Sequence, residues 1–106
     1  MNGILIIAHA PLASALRSCV LHVFPDCGDA VAALDVQPGA SPDESLVQAR
    51  ALLQALDAPS TLVLTDVFGA TPCNVAQRLV DGVRSRLVAG VNLPMLLRTV
   101  SYRHEP

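Results

Sequence analysis

Gly3-Ile4-Leu5-Ile6-Ile7-Ala8 is a run without a polar side chain, closed by His9, Ala10 and Pro11. A strand with one face in water alternates apolar and polar residues, whereas a continuous apolar run of this length suits a strand buried on both faces. Strands of that kind belong to parallel sheets sandwiched between helices. Pro11 sits where a first helical residue would, and Leu12, Leu16, Cys19, Val20 and Val23 then fall on one helical face. The opening stretch thus reads as a strand feeding a helix, the first half of a βαβ unit.

The same grammar repeats outward from it. Three further strand-like runs are the alanine-rich Ala30 to Val36, then Thr61 to Thr65, then Leu87 to Val91. Ser41-Pro42-Asp43-Glu44 combines a capping serine, a proline and a glutamate three residues on, and Leu46, Ala49, Leu53 and Leu56 follow at helical spacing until Asp57-Ala58-Pro59. Thr71-Pro72 repeats the cap-then-proline signal before Val75, Leu79 and Val83, and Asn92-Leu93-Pro94 does so before Met95 to about Tyr102. The order β-α-β-α-β-α-β-α predicts an α/β fold with a doubly wound parallel sheet, and its simplest strand order is 2-1-3-4. Residues 1–106 form one domain, without a repeat or a linker.

Composition narrows the function classes. The chain has 106 residues, 52% of them hydrophobic, enough to bury a core. Its formal net charge is −2, it has no lysine, and its seven arginines are scattered, which disfavours nucleic acid as a partner. Phe24, Phe68 and Tyr102 are the only aromatics, too few for a base-stacking platform. No stretch approaches the roughly 18 to 20 apolar residues of a membrane span, and Met1-Asn2-Gly3 lacks the basic start of a signal peptide. Cys19, Cys27 and Cys73 have no metal-type spacing and read as reduced thiols, so the expected protein is soluble and cytoplasmic.

In an open parallel sheet, ligands bind beyond the carboxyl ends of the strands where the strand order reverses. With order 2-1-3-4 the reversal lies between strands one and three, and His9 and Asp66 follow those two strands immediately. A neutral histidine nitrogen can attack phosphorus and hold the phosphoryl group, while a carboxylate on the other nitrogen fixes the tautomer and stabilises developing charge. Asp66 is the candidate for that second part. Phosphoryl oxygens need donors, and the helix N-terminus after Thr71-Pro72 supplies them, with Gly69 and Ala70 permitting close backbone approach and the Thr71 hydroxyl adding one donor. Pro72, lacking an N–H, removes one. Asn92 is placed to orient the same loops, and Phe68 is either core or a contact in the site loop.

Each of these residues also has a purely structural reading. A histidine after a strand is more often a cap or surface residue, Asp66 can cap its own loop, and Thr71 and Asn92 are N-caps whatever else they do. Cys73, in the first turn of a helix, is open to activation but fits better as a small packed side chain. His22 and His104 do not join His9 in a metal site.

Three segments, taken in order and spacing, carry a resemblance: Ile4-Leu5-Ile6-Ile7-Ala8-His9-Ala10, then Thr65-Asp66-Val67-Phe68-Gly69-Ala70-Thr71-Pro72-Cys73-Asn74, then Gly90-Val91-Asn92-Leu93-Pro94-Met95-Leu96. Together, and with Pro38-Gly39, they resemble the mannose-family enzyme IIA of the bacterial phosphoenolpyruvate-dependent sugar phosphotransferase system, over essentially the whole chain. The resemblance implies that His9 is phosphorylated, that Asp66 is its hydrogen-bonding partner, and that Gly69, Ala70 and Thr71 lie beside the phosphoryl group. It implies a cytoplasmic homodimer that takes phosphoryl from the histidine carrier protein HPr and passes it to a separate enzyme IIB, with no metal or organic cofactor. It also implies a C-terminal helix and an exchanged strand that this stretch, ending at His104-Glu105-Pro106, does not contain. Val67-Phe68 stands where a hydroxyl residue followed by tryptophan is common, a difference that bears on partner preference. Two other purposes remain open: a regulatory phosphoprotein without onward transfer, and the phosphocarrier subunit of a dihydroxyacetone kinase, whose corresponding loop usually lacks Gly-Ala-Thr-Pro. A small hydrolase using Cys73 with His9 is the remaining, least supported reading.

Overall fold

The computed structural model describes residues 2–67 and 70–103. Phe68 and Gly69 therefore lie outside the described residues, as does His104. Four parallel strands, β1 (Gly3–His9), β2 (Val31–Val36), β3 (Thr61–Thr65) and β4 (Ser85–Ala89), stand in the order β2-β1-β3-β4. The helices α1 (Leu12–Val23), α2 (Pro42–Leu56), α3 (Thr71–Leu79) and α4 (Leu93–Ser101) alternate with them. This is the doubly wound α/β sheet with order 2-1-3-4 that the apolar runs predict.

Side chains of successive strand residues point to opposite faces, and β1 uses both. Ile4, Ile6 and Ala8 join Leu64 of β3 under α1 and α4, where Leu16, Val20, Leu96 and Val100 close the layer. Leu5 and Ile7 join Leu34, Val36 and Val63 on the other face, against Leu46 and Ala49 of α2 and Val75 and Ala76 of α3. β1 carries no polar side chain before its last residue, His9, which is exposed.

Several boundaries differ from the sequence reading. Pro11 is the residue flanking α1 rather than its first helical residue, and Ala70 rather than Thr71 is the N-cap of α3. Asn74 N–H donates to the Ala70 carbonyl at 2.9 Å, so Thr71 is already inside the first turn, and among the described residues its side chain makes no capping bond. The fourth strand starts at Ser85 instead of Leu87 and ends at Ala89 instead of Val91. Asp81 sets that register: its Oδ1 accepts the N–H groups of Val83 and Arg84 at 2.8 Å and of Ser85 at 3.1 Å, turning the chain into β4 early. Gly90, at φ +84°, ends the strand in a conformation that favours glycine. A 3-10 stretch, Pro25–Ala30, fills the connection before β2 and moves its start from Ala30 to Val31. The Ser41 cap of α2 forms as expected, accepting Glu44 N–H at 3.4 Å.

Candidate active site

His9 is the last residue of β1, and Asp66 is the first residue beyond β3, the neighbouring strand. Parallel register brings the two ends together, because Ile7 pairs with Thr65 and each chain then runs out past the sheet edge. The His9 ring Nδ1 lies 2.7 Å from Asp66 Oδ2, and the same oxygen accepts the His9 backbone N–H at 3.1 Å. The other oxygen, Oδ1, accepts Val67 N–H at 2.9 Å. Asp66 thus holds the histidine by both its backbone and its ring.

Burial differs sharply across the pair: the side chain of His9 is 53% exposed and that of Asp66 10%. Burial alone would push the Asp66 carboxyl up. Hydrogen bonds from the His9 ring, from His9 N–H and from Val67 N–H outweigh it and hold the carboxyl below its ordinary range. An ionised carboxylate is acceptor-only, so in the neutral ring Nδ1 carries the proton and the lone pair is on Nε2. The pair is therefore a histidine with one nitrogen anchored and a nucleophilic lone pair on the other.

Ala70 and Thr71 open α3, whose first-turn N–H groups have no intrahelical partner. Pro72 contributes none, and Cys73 is fully buried, which removes the thiol as a nucleophile working beside His9. Asn92 caps α4, its Oδ1 accepting Met95 N–H at 3.0 Å, and Val91 N–H donates to the Thr65 carbonyl at 2.8 Å. That bond ties the segment before α4 to the residue preceding Asp66. Leu12 and Val67, 38% and 55% exposed, are apolar side chains in the segments that leave the two strand ends.

Three cavities lined by described residues lie away from His9. One of about 430 Å³ is lined by Asp57, Thr61, Asp81 and Arg84, and another of about 510 Å³ lies along α4 against Leu62 and Met95. The His9 side chain, about half exposed, can be reached from outside the fold. Among the described residues no group of three or more His, Cys, Asp or Glu side chains is placed to hold a metal ion. No helix among them is long and apolar enough to cross a membrane.

A family model for EIIA-man, the PTS system fructose IIA component, matches residues 3–106. The chain belongs to that family. Over 74 residues, 68% of the chain, it is 35% identical to the PTS system mannose-specific EIIAB component of Escherichia coli (strain K12), of which it spans 23%. The chain thus covers about a quarter of the curated relatives it matches. Among solved structures, it is similar to the PTS IIA protein associated with the fucose utilization operon from Streptococcus pneumoniae, with a TM-score of 0.86 and 28% identity over 96% of this chain and 78% of that one. It is equally similar to the phosphotransferase system component EIIA from Streptococcus agalactiae, with a TM-score of 0.86 and 27% identity over 100% of this chain and 82% of that one.

One polar side chain at this end of the EIIA-man sheet escapes the sequence reading. Asp35 lies on β2 beside Val36, the register partner of His9, and its carboxylate accepts from Ser14 of α1. Its one mark in the sequence is a lone acid inside an otherwise apolar strand, which does not reveal its partner Ser14.

Proposed function

We propose that the chain is a phosphocarrier in which His9 Nε2 takes a phosphoryl group from phospho-HPr and hands it to a separate enzyme IIB. The observation that carries this reading is the 2.7 Å contact between His9 Nδ1 and Asp66. It leaves Nε2 as the unprotonated nitrogen on an exposed ring. In the transfer, the Nε2 lone pair forms a bond to phosphorus as the bond between phosphorus and the donor histidine breaks, and the electron pair of that bond returns to the donor's nitrogen. No proton has to reach phosphorus. Positive charge that develops on the His9 ring is shared with the Asp66 carboxylate through Nδ1–H.

The first turn of α3, from Ala70 and Thr71, supplies the donors and the positive dipole end for the phosphoryl oxygens. Two histidines aligned across a protein–protein surface then need little beyond positioning and electrostatic stabilisation. Gly69 and Phe68, outside the described residues, complete the loop in this proposal, and Asn92 supports it from α4. The working form is a cytoplasmic homodimer without metal or organic cofactor, acting in sugar uptake or its regulation.

The test is the intact mass of wild type and His9→Ala after incubation with phosphoenolpyruvate, enzyme I and HPr. One acid-labile phosphoryl mass is expected on wild type and none on the variant. Equal labelling of both proteins, or of neither while both are folded, contradicts the proposal.

A further inference from the structure

Three backbone or side-chain anchors hold the segment from His9 to Ser14, and two of them come from the end of β2. The His9 N–H belongs to Asp66, as described. The next residue, Ala10, donates its N–H to the Val36 carbonyl at 3.0 Å. Four residues further on, Ser14 donates its N–H to Asp35 Oδ1 at 3.0 Å and its hydroxyl to Asp35 Oδ2. Ser14 is the third residue of α1, the position whose N–H an N-cap side chain normally satisfies. Pro11, which flanks the helix, makes no such bond. The cap of α1 therefore comes from the neighbouring strand, across twenty-one positions of sequence.

A local cap would stabilise the helix and leave its direction free. A cap supplied by Asp35 does more, because β2 is registered to β1, with Ala8 opposite Asp35 and His9 opposite Val36. The first turn of α1 is thereby fixed to the same strand pair that presents His9. We propose that Asp35 is a positioning residue for phosphoryl transfer: by clamping Ser14 it fixes the course of the chain leaving His9, and so the alignment of the ring. The proposal rests on the reading of His9 as phosphoryl acceptor. It differs from a capping role in its consequence. Loss of a cap lowers the folded fraction, whereas loss of alignment lowers the rate of every folded molecule.

The experiment is rapid-quench phosphoryl uptake from phospho-HPr at several donor concentrations, on wild type, Asp35→Ala, Asp35→Asn and Ser14→Ala, with each folded fraction measured by circular dichroism. Asp35→Ala is expected to lower the limiting rate per folded molecule by about tenfold or more, with the half-saturating concentration changed by less than about twofold. Asp35→Asn, whose amide can still accept Ser14 N–H and donate to its hydroxyl, is expected to restore about half or more of the wild-type limiting rate. Ser14→Ala keeps the N–H bond and is expected to slow transfer about threefold, which carries the test if Asp35→Ala does not fold. A wild-type limiting rate in Asp35→Ala, or in Ser14→Ala where it stands in, overturns the proposal. So does an Asp35→Asn variant as slow as the alanine one, since charge and not position would then be at work. If wild type itself takes up no phosphoryl group, the reading of His9 fails and the Asp35 proposal with it. Labelled wild type with indifferent Asp35 variants rejects Asp35 alone.

Discussion

At the scale of single residues, the His9–Asp66 pair makes opposite demands on its two members. In the proposed transfer the histidine must be open to a partner, and its carboxylate must stay ionised though largely shielded from water; three hydrogen bonds on two oxygens accomplish that. Asp66→Ala leaves Nδ1 without its acceptor, and phosphoryl uptake is expected to fall by about 10- to 100-fold, the usual cost of removing a group that orients a histidine. Single-turnover labelling checks it. Because the folded-state carboxyl is held below its ordinary range, Asp66 contributes stability above that range and loses it as pH falls through the depressed value. The melting temperatures of wild type and Asp66→Asn should therefore differ at neutral pH and converge in acid; a constant gap down to low pH would exclude the linkage. His9 and Asp66 were legible because each stands where a buried strand gives out, the place where an open parallel sheet binds its ligands. Asp35 was not, because its partner Ser14 is reached only through the packing of α1 on β2.

At the scale of elements, cap-and-proline signals mark that a helix exists better than they mark where it ends. Ser41 was readable as a cap because serine, proline and glutamate stand at the right offsets, and its bond to Glu44 N–H forms. At 3.4 Å that bond is long, so Ser41→Ala is expected to cost about 0.5–1 kcal/mol, the lower part of the range for caps, in denaturant unfolding. The start of β4 was displaced because Asp81 works through its side chain on N–H groups two to four residues ahead, a contact that hydrophobic pattern does not encode. Asp81→Ala should speed amide exchange at Val83, Arg84 and Ser85 relative to β1, and protection unchanged at those three amides would refute this account of the turn. The 3-10 stretch Pro25–Ala30 carries no apolar period, so nothing in the pattern marked it.

At the scale of the whole molecule, the topology followed from alternating strand and helix patterns together with the handedness of βαβ connections, which leaves few strand orders to consider. The price of a central strand buried on both faces is sensitivity to its volume. Ile6, fully buried under α1 and α4, is expected to cost about 2–5 kcal/mol when cut to alanine, in the same denaturant assay. What the sheet gains is a rigid edge from which β1, β2 and β3 present His9, Asp35 and the turn to Asp66. The proposed transfer turns on one atom at that edge, His9 Nε2. Nitrogen NMR of protein labelled in histidine, before and after phosphorylation, should show coupling to phosphorus at His9 Nε2, with Nδ1 still protonated beside Asp66. Coupling at Nδ1, or at another histidine, would contradict the account.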